Sequence, residues 1–350
     1  MQESAAGFKV VVRPSGREFV VGPQQSVLEA ALANDIVLPY GCRDGACGSC
    51  KAKVLEGTVE HGPHASGALK PAEQEQGYAL LCCAHPRADL VVQARVLEGV
   101  ANIPLRKMPV RVTSLEMAAP DVAVLRLQMP ANEQLQYLAG QYIEILLRDG
   151  TRREYSLGSA PSNAEQLELH VRHMPGGKFT DTVFGVATPP VKEKSILRFE
   201  GPLGTFFLRE DSTKPIVMLA SGTGFAPIKA IIEHMLFKDI RRPVVLYWGG
   251  RRPRDLYRNE LCQQWAAEHA HIRYVPVISD ALPEDGWQGR TGFVHRAVIE
   301  DFPDLSGHQV YACGAPIVVN SAQADFIQTC GLPAEEFFAD SFTTEADVNR

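Results

Sequence analysis

The chain has 350 residues, of which 45% are hydrophobic and 22% charged, and its 35 basic and 41 acidic residues give a net charge of -6 at pH 7. This length exceeds what one ordinary hydrophobic core needs, so we expect two or three globular domains. The charges are dispersed and no block of Lys or Arg could follow a phosphate backbone, which argues against a nucleic-acid partner.

The N-terminus shows no targeting signal. Residues Met1 to Gly7 lack the basic flank and the apolar run of a signal peptide, and the sequence nowhere holds about eighteen consecutive apolar residues. We therefore expect a cytoplasmic protein with no membrane partner. In a reducing compartment, the spacing of the eight cysteines indicates metal or redox chemistry rather than disulfides.

The first predicted domain covers residues 1–100. A Ser-x-x-Glu capping box at Ser26 and Glu29 predicts the start of a helix. A loop rich in small residues follows this helix. The strands predicted around the helix and the loop are 8–13, 17–21, 51–55 and 90–96.

The cysteines of this domain have the spacing of a plant-type [2Fe-2S] cluster. Cys42, Cys47 and Cys50 follow the pattern C-x4-C-x2-C, which a distant fourth cysteine completes. Small residues in the loop allow the backbone to fold around the cluster and to direct N–H groups at sulfur. The alternative is a structural zinc site, but zinc ribbons favour two short cysteine pairs.

Two adjacent cysteines compete for the fourth position. Cys82 follows Leu80 and Leu81, as in the Leu-x-Cys pattern of plant-type ferredoxins. We therefore predict Cys82 as the ligand and Cys83 as a small buried neighbour.

The second predicted domain covers residues 104–210, where short strands broken by Pro and Gly predict a small antiparallel barrel. The predicted strands are 110–115, 122–127, 141–147, 167–171 and 196–199. Two segments stand out, Arg153–Ser156 and Met174–Thr180. The second leads into a short helix predicted over 181–186, and a helix start preceded by glycines is a natural diphosphate site.

The third predicted domain covers residues 211–350, where buried strands alternate with amphipathic helices, the pattern of a doubly wound parallel sheet. The predicted strands are 216–220, 244–248, 272–278, 310–313 and 336–339. The first strand runs into the turn Gly222–Gly224 and a helix predicted over 228–237, which indicates a dinucleotide-phosphate site. The fourth strand ends at Cys313 and Gly314, and ligands bind at such carboxyl ends.

Together, these motifs resemble the ferredoxin-NADP reductase superfamily, in those members that carry an N-terminal [2Fe-2S] domain. Examples are the methane monooxygenase, phenol hydroxylase and CDP-6-deoxy-delta-3,4-glucoseen reductases. The similarity covers nearly the whole chain and includes stretches 137–142, 200–207 and 291–295. It implies a multidomain α+β and α/β fold with a β-grasp-like ferredoxin domain, an antiparallel β-barrel FAD domain and a doubly wound parallel-sheet NAD domain.

The resemblance also implies roles for the residues of the barrel. Arg153 corresponds to a residue that pairs with FAD phosphate, Tyr155 to one that flanks the isoalloxazine, and Ser156 to one that hydrogen-bonds near N5. Without this context, the segment could be an ordinary strand end. The remaining flavin-site predictions are Gly177, Lys178, Phe179 and Thr180 in the diphosphate-binding turn, with His170 and Val171 beside the flavin segment.

The nucleotide-site predictions have the same basis. The positions expected to hold the NADH diphosphate are Gly222, Thr223, Gly224 and Pro227, and those expected to border the nicotinamide are Cys313 and Gly314. Cys313 could instead be a core thiol, as we expect Cys262 and Cys330 to be.

The C-terminal residues complete the predicted site. Ser156, Cys313 and Asp340 form the predicted catalytic set, although related sequences more often carry Glu where this chain has Asp340, whose reach is shorter. Phe342 could shield the flavin or simply close the core, and both interpretations stay open.

The resemblance implies an NADH-dependent reductase that passes electrons through FAD and a [2Fe-2S] cluster to a partner protein. That partner is expected to be an oxygenase component or a sugar dehydrase such as CDP-6-deoxy-hexulose 3-dehydrase, and the reductase to be a monomer. We expect NADH over NADPH because Asp255 would repel a 2'-phosphate, although Arg251 and Arg252 are good phosphate ligands. A non-enzymatic redox sensor or metal-bearing scaffold would leave both nucleotide sites unexplained.

Overall fold

The structure is a computed structural model and describes residues 7–100, 102–163 and 166–343. These residues fall into two compact units, one comprising 7–104 with 341–343 and the other Leu105–Asp340. The segment for which no signal peptide is expected, residues 1–6, lies outside the described residues. In the described part of the chain, no helix has the length and apolar character needed to cross a membrane.

The first unit contains a five-stranded sheet. Its elements are β1 (Phe8–Arg13), β2 (Arg17–Val21), α1 (Val27–Ala33), β3 (Lys51–Glu56), β4 (Val59–His61), α2 (Pro71–Glu75), β5 (Tyr78–Leu80), β6 (Ala84–Pro86) and β7 (Leu90–Gln93). The sheet has the order β2-β1-β7-β3-β5, with β1 and β7 parallel and the other pairs antiparallel, while β4 and β6 form a separate ribbon. The strand predicted over 90–96 ends earlier, at Gln93.

Helix α1 begins at the predicted capping box. The Glu29 backbone N–H donates to Ser26 Oγ over 3.2 Å, and the Ser26 N–H donates to Glu29 Oε2 over 2.9 Å. These reciprocal bonds satisfy two of the free N–H groups at the helix start. The helix buries Val27, Leu28 and Ala31, and so has an apolar side ahead of the cysteine loop.

The second unit begins with six antiparallel strands that form the predicted barrel. Its elements are β8 (Arg106–Ala119), β9 (Val122–Gln128), β10 (Tyr142–Leu146), β11 (Arg152–Ser156), β12 (Gln166–Arg172), α3 (Thr180–Val183) and β13 (Ile196–Leu203). The order is β11-β10-β13-β8-β9-β12. A bridge between Leu157 and Leu169 joins the two edges around a buried apolar core. The helix predicted over 181–186 is only the single turn α3, because Gly185 adopts a left-handed φ of 71°.

The rest of the second unit is a six-stranded sheet with helices. Its elements are β14 (Ile216–Ser221), α4 (Phe225–Phe237), β15 (Val244–Gly250), α5 (Asn259–Glu268), β16 (Ile272–Ile278), β17 (Arg290–Thr291), α6 (Val294–Asp301), β18 (Gln309–Gly314), α7 (Pro316–Cys330) and β19 (Phe337–Ser341). The order is β17-β16-β15-β14-β18-β19, and the pairs from β17 to β18 are parallel. Strand β14 therefore lies at the centre, and its carboxyl end meets that of β18.

Helix α4 starts directly at the end of the glycine turn. It begins at Phe225 rather than at the predicted residue 228, because Pro227 falls within the first helical turn, where its missing N–H costs nothing. The helix is buried along most of its length, including a charged residue, Lys229. Lys229 lies in the apolar first part of the helix, ahead of Glu233 and His234, and the sequence prediction left it unexplained.

Candidate functional site

The first two predicted cluster ligands lie opposite each other in the cysteine loop. The backbone N–H of Cys47 donates to Cys42 Sγ over 3.2 Å, and the N–H of Cys42 donates to Cys47 Sγ over 3.4 Å. The hydroxyl of Ser49 lies 3.4 Å from Cys47 Sγ. This loop thus supplies backbone N–H groups directed at sulfur, as an iron-sulfur centre requires.

The other two predicted ligands form a second pair. Cys50 Sγ and Cys82 Sγ lie 3.2 Å apart, although the two residues are 32 positions apart in the chain. Among the described residues, no three His, Cys, Asp or Glu side chains are placed to hold a single metal ion. Two thiol pairs suit a two-iron cluster, whereas a structural zinc ion needs four ligands around one point.

Cys83 differs from the sequence prediction. The residue is half-buried rather than buried, because it lies in the turn between β5 and β6. It is Cys82, not Cys83, whose sulfur lies beside that of Cys50. A groove of about 320 Å³ borders Cys42 and Cys82, so this side of the ligand set is accessible from the surface of the first unit.

The predicted flavin segment lies in β11, at the edge where the barrel closes. The ring of Tyr155 packs against that of Phe179, with 5.3 Å between centroids. Arg153, also on this strand, is half-buried. The structure therefore brings the aromatic residue of this segment next to the predicted diphosphate-binding turn.

That turn is held by its own threonine. The Thr180 hydroxyl donates to the carbonyl of Met174 over 2.9 Å and accepts from the Met174 N–H over 3.2 Å. Thr180 and Phe179 are buried, so their side chains shape the turn. Lys178 is exposed, and its ammonium group pairs with Asp149 at 2.7 Å.

His170 and Val171 occupy the interior. Val171 belongs to the barrel core, and His170 is 5% exposed. Both ring nitrogens of His170 have protein partners, Glu168 Oε1 at 2.8 Å and Tyr257 Oη at 2.7 Å. Only the backbone of these two residues is left for the cofactor contact predicted from the sequence.

The three predicted catalytic residues come together, although they lie far apart in the sequence. Ser156 ends β11, Cys313 lies in β18 and Asp340 in β19. The Ser156 hydroxyl donates to Asp340 Oδ2 over 3.1 Å, and Cys313 Sγ lies 3.9 Å from the same oxygen. A residue of the barrel is thereby joined to two residues of the parallel sheet.

Burial shifts the ionisation of this group. The residue Asp340 is partly accessible, but its carboxyl group is enclosed, and desolvation raises the pKa of Asp340 to about 6 against the opposing hydrogen bond from Ser156. Burial also raises the pKa of the Cys313 thiol well above its ordinary value. Asp340 therefore titrates just below neutral pH, while Cys313 stays a neutral thiol.

The predicted dinucleotide turn is built by contact between two strand ends. A Cβ atom added to Gly224 would lie 2.2 Å from the carbonyl oxygen of Cys313. One added to Gly314, whose φ is 135°, would lie 2.4 Å from the carbonyl oxygen of Ser221. Only glycine fits at either position, and the indole N–H of Trp248 donates to the carbonyl of Gly222 over 3.2 Å. Thr223 and Pro227 are also buried in this region.

The acidic residue of the loop after β15, Asp255, accepts hydrogen bonds from the backbone of the same loop. Asp255 Oδ2 accepts hydrogen bonds from the backbone N–H groups of Arg251 and Arg252, at 2.9 and 3.1 Å. The guanidinium of Arg252 forms a two-bond pair with Asp285, at 2.8 and 2.9 Å. Asp255 thus caps a turn, and the carboxylate that engages Arg252 is one that the sequence prediction did not consider.

Other residues were missed as well. Glu168 and the half-buried Tyr257 contact the ring of His170, and Lys229 joins them through Glu168. The lysine inside the apolar stretch of α4 was the available signal. Phe342, by contrast, is half-buried and grouped with the first unit, so its predicted role stays a prediction.

Comparison with known proteins finds three family matches in succession along the chain. Residues 10–87 match the family described as the 2Fe-2S iron-sulfur cluster binding domain. Residues 109–208 match the oxidoreductase FAD-binding domain, and residues 218–324 match the oxidoreductase NAD-binding domain.

Curated relatives align along almost the entire chain. The CDP-6-deoxy-L-threo-D-glycero-4-hexulose-3-dehydrase reductase of Yersinia pseudotuberculosis is 40% identical, over 96% of this chain and 98% of its own. Reductase component 1 of terephthalate 1,2-dioxygenase from Comamonas sp is 35% identical, over 96% and 97%. Among solved structures, the cytochrome P450 reductase of Amycolatopsis is 34% identical with a TM-score of 0.73, over 96% of this chain and 99% of that one.

With all three modules matched in order, and with relatives of this identity along its full length, the chain belongs to the family of oxidoreductases that join a 2Fe-2S domain, an FAD-binding domain and an NAD-binding domain in one polypeptide.

Proposed function

We propose that this protein takes hydride from NADH and delivers single electrons to a partner protein. The observation that carries the proposal is the contact of Ser156, from the barrel, with Asp340, from the parallel sheet. It brings the predicted flavin segment within reach of the strand ends that form the dinucleotide turn. When bound, FAD supplies the exchange between hydride and single electrons, and the cluster carries one electron at a time.

The residues of the second unit have distinct tasks in this scheme. Ser156 offers a hydroxyl near flavin N5, and Asp340 orients that hydroxyl. Arg153 and Lys178 supply positive charge for the FAD phosphates. The glycine turn at Gly224 allows the dinucleotide to approach the backbone closely.

The first unit supplies the exit for electrons. The donor set fits a two-iron cluster, because Cys42 and Cys47 form one thiol pair and Cys50 and Cys82 the other. The groove beside Cys42 and Cys82 gives a partner access to this ligand set. The proposed domain boundaries remain 1–100, 104–210 and 211–350.

The partner is proposed from the relatives. A dehydrase that acts on a CDP-linked 6-deoxyhexulose, such as CDP-6-deoxy-hexulose 3-dehydrase, is our first candidate, since a reductase named for it is 40% identical to this chain. An oxygenase component is the second, because a terephthalate dioxygenase reductase is 35% identical. We propose that the reductase itself is a cytoplasmic monomer.

NADH is the proposed donor. A 2'-phosphate would need free cationic groups, but Arg252 is neutralised by Asp285, with Glu284 at 3.7 Å. Arg251 is exposed, and its guanidinium lies 3.8 Å from Asp255. This acidic surrounding favours the dinucleotide without the additional phosphate.

Two substitutions test the proposed electron path. Cys50→Ala removes one thiolate, so we expect loss of the cluster spectrum and of about two irons per chain, together with loss of cytochrome c reduction. Reduction of ferricyanide by NADH should survive, because the flavin can reduce that small acceptor directly. Cys330→Ala, which removes a buried thiol from α7, is the control and should retain the cluster.

Ser156→Ala should have the complementary effect. Flavin reduction by NADH should slow, and with it the reduction of every acceptor, while the cluster spectrum stays intact. Full cytochrome c activity in the Cys50→Ala protein would contradict the proposed path, as would zinc in place of iron in the purified protein.

A further inference from the structure

A buried lysine links the helix of the dinucleotide turn to the barrel. Lys229 lies on α4 and is 8% exposed. Its ammonium group donates to the carbonyl of Gly158 over 2.9 Å and lies 3.1 Å from Glu168 Oε1 and 2.8 Å from Glu233 Oε1. Each of the three N–H groups of the ammonium therefore has an acceptor, which a charge at this depth requires.

The carboxylate of Glu168 extends this connection further. The same oxygen that contacts Lys229 also contacts His170 Nε2 at 2.8 Å, and the other ring nitrogen of His170 lies 2.7 Å from Tyr257 Oη. Glu168 Oε2 lies 3.6 Å from Arg126 Nε. A continuous polar network thus runs from α4 through β12 to the segment before α5.

Both ends of the Lys229 contact lie close to the proposed reaction site. Gly158 is two residues beyond Ser156, and its N–H donates to the carbonyl of Glu168 over 2.7 Å. A Cβ on Gly158 would lie 3.0 Å from His170 Nε2, so this stretch is closely confined. Lys229 lies about one helical turn after Phe225, the residue that follows Gly224.

We propose that Lys229 is a positioning residue for hydride transfer. Its ammonium group fixes the distance between Ser156 on the barrel and the dinucleotide turn on the parallel sheet. This inference rests on the proposed function, because the distance matters only if hydride passes between the two sites.

A purely stabilising role does not account for the arrangement. Apolar contacts already hold α4, since Phe225, Ile228 and Ile231 are fully buried. Replacing a buried ion pair by apolar groups is often neutral for stability, so such a pair adds little that Leu or Met could not. Directed hydrogen bonds to a backbone carbonyl and a carboxylate instead specify a geometry, to which hydride transfer is sensitive.

The test compares Lys229→Met with Lys238→Met in the full-length, cofactor-loaded protein. Lys238 is exposed at the end of the same helix and controls for the loss of a lysine charge. Anaerobic stopped-flow absorbance gives the limiting rate of flavin reduction and the apparent Kd for NADH. Hydrogen-deuterium exchange of peptides covering 156–160 and 222–226 reports the order of both segments independently of turnover.

We expect Lys229→Met to lower the limiting rate on the order of ten- to a hundredfold, with the apparent Kd changed less than about twofold. Exchange should increase in both peptides, and Lys238→Met should match the wild type. The single variant leaves the Glu168 carboxylate without its lysine partner. The double variant Glu168→Gln, Lys229→Met removes this carboxylate as well, so it replaces the single variant in the test if the latter does not fold. The limiting rate of flavin reduction in this double variant should stay low. Restoring the charge balance does not restore the contact of Lys229 that fixes the distance between Ser156 and the dinucleotide turn.

Either of two results would overturn the inference. One is a wild-type limiting rate in folded, FAD-loaded Lys229→Met protein, and the other is full recovery of the rate in the double variant. If NADH fails to reduce the flavin of the wild-type protein, the proposed function itself is wrong, which this design distinguishes from a failure at Lys229.

Discussion

The substitution Gly224→Ala isolates the contact between the two strand ends. The added Cβ would lie 2.2 Å from the carbonyl oxygen of Cys313, 2.4 Å from its carbonyl carbon and 2.6 Å from the Cα of Gly314. Ordinary contact starts at about 3.4 Å, so the overlap exceeds 1 Å. All three atoms are backbone, so no side-chain rotation can relieve it, and β14 and β18 must separate at their carboxyl ends.

A shift of this size falls where the dinucleotide and the flavin are proposed to meet. A misplacement of about 1 Å in a reacting group can lower a rate about a hundredfold. We expect a decrease of that order in the limiting rate of flavin reduction by NADH, together with a weaker apparent Kd. The absorbance of FAD and of the cluster should be retained, because neither proposed cofactor site includes this turn.

The assay is anaerobic stopped-flow reduction with NADH, and Gly307→Ala is the matched control. A Cβ at Gly307 meets no atom within 4 Å, and its backbone is not left-handed, so this variant should behave as the wild type. A Gly224→Ala protein with wild-type rate and Kd would refute the reasoning, since the strand ends would then not need the contact to form the site.

Two further predictions concern charge. Asp340→Asn should remove a pH dependence of the free energy of unfolding. Because burial raises the pKa of Asp340 to about 6, the folded protein keeps a proton that the unfolded chain has released. The stabilisation present below about pH 4 is therefore lost as the pH rises through 6. Between pH 4 and 7, the free energy of unfolding of the wild type should therefore fall by on the order of 3 kcal/mol more than that of Asp340→Asn. Melting temperatures of both proteins against pH measure this difference, and parallel curves would contradict the prediction. Asp285→Asn should release the guanidinium of Arg252 from its ion pair. The ratio of kcat/KM for NADPH to kcat/KM for NADH, which we expect to favour NADH in the wild type, should then rise several-fold. An unchanged ratio would show that Arg252 does not face the ribose.

Local patterns in the sequence predict much of this fold. The Ser26 capping box starts α1 as expected, and β16 spans the predicted residues 272–278. Such features depend on neighbouring residues and on alternation of apolar side chains, which the sequence displays directly. The two-residue strand β17 was missed, because a segment that short has no periodicity.

The contacts within the candidate site were less accessible to sequence reasoning. The motifs selected Ser156 and Asp340 separately, but their hydrogen bond joins residues 184 positions apart. The hydrogen bonds that Asp255 accepts within its own loop, and the partners of Lys229, depend likewise on the folded structure. The residue types in the sequence therefore indicated which chemistry the site can perform. Which side chains pair with each other could be identified only from the folded structure.

The division of the cysteines into two pairs affects how the first unit holds together. The pair Cys42 and Cys47 closes only a tight loop, whereas the pair Cys50 and Cys82 joins residues 32 positions apart. Iron held by the second pair, as we propose, would act on the chain as a cross-link and restrict the unfolded ensemble much as a disulfide does. On this proposal, cluster insertion would contribute to the conformational stability of this unit, and the segment from β3 to β5 would depend most on it.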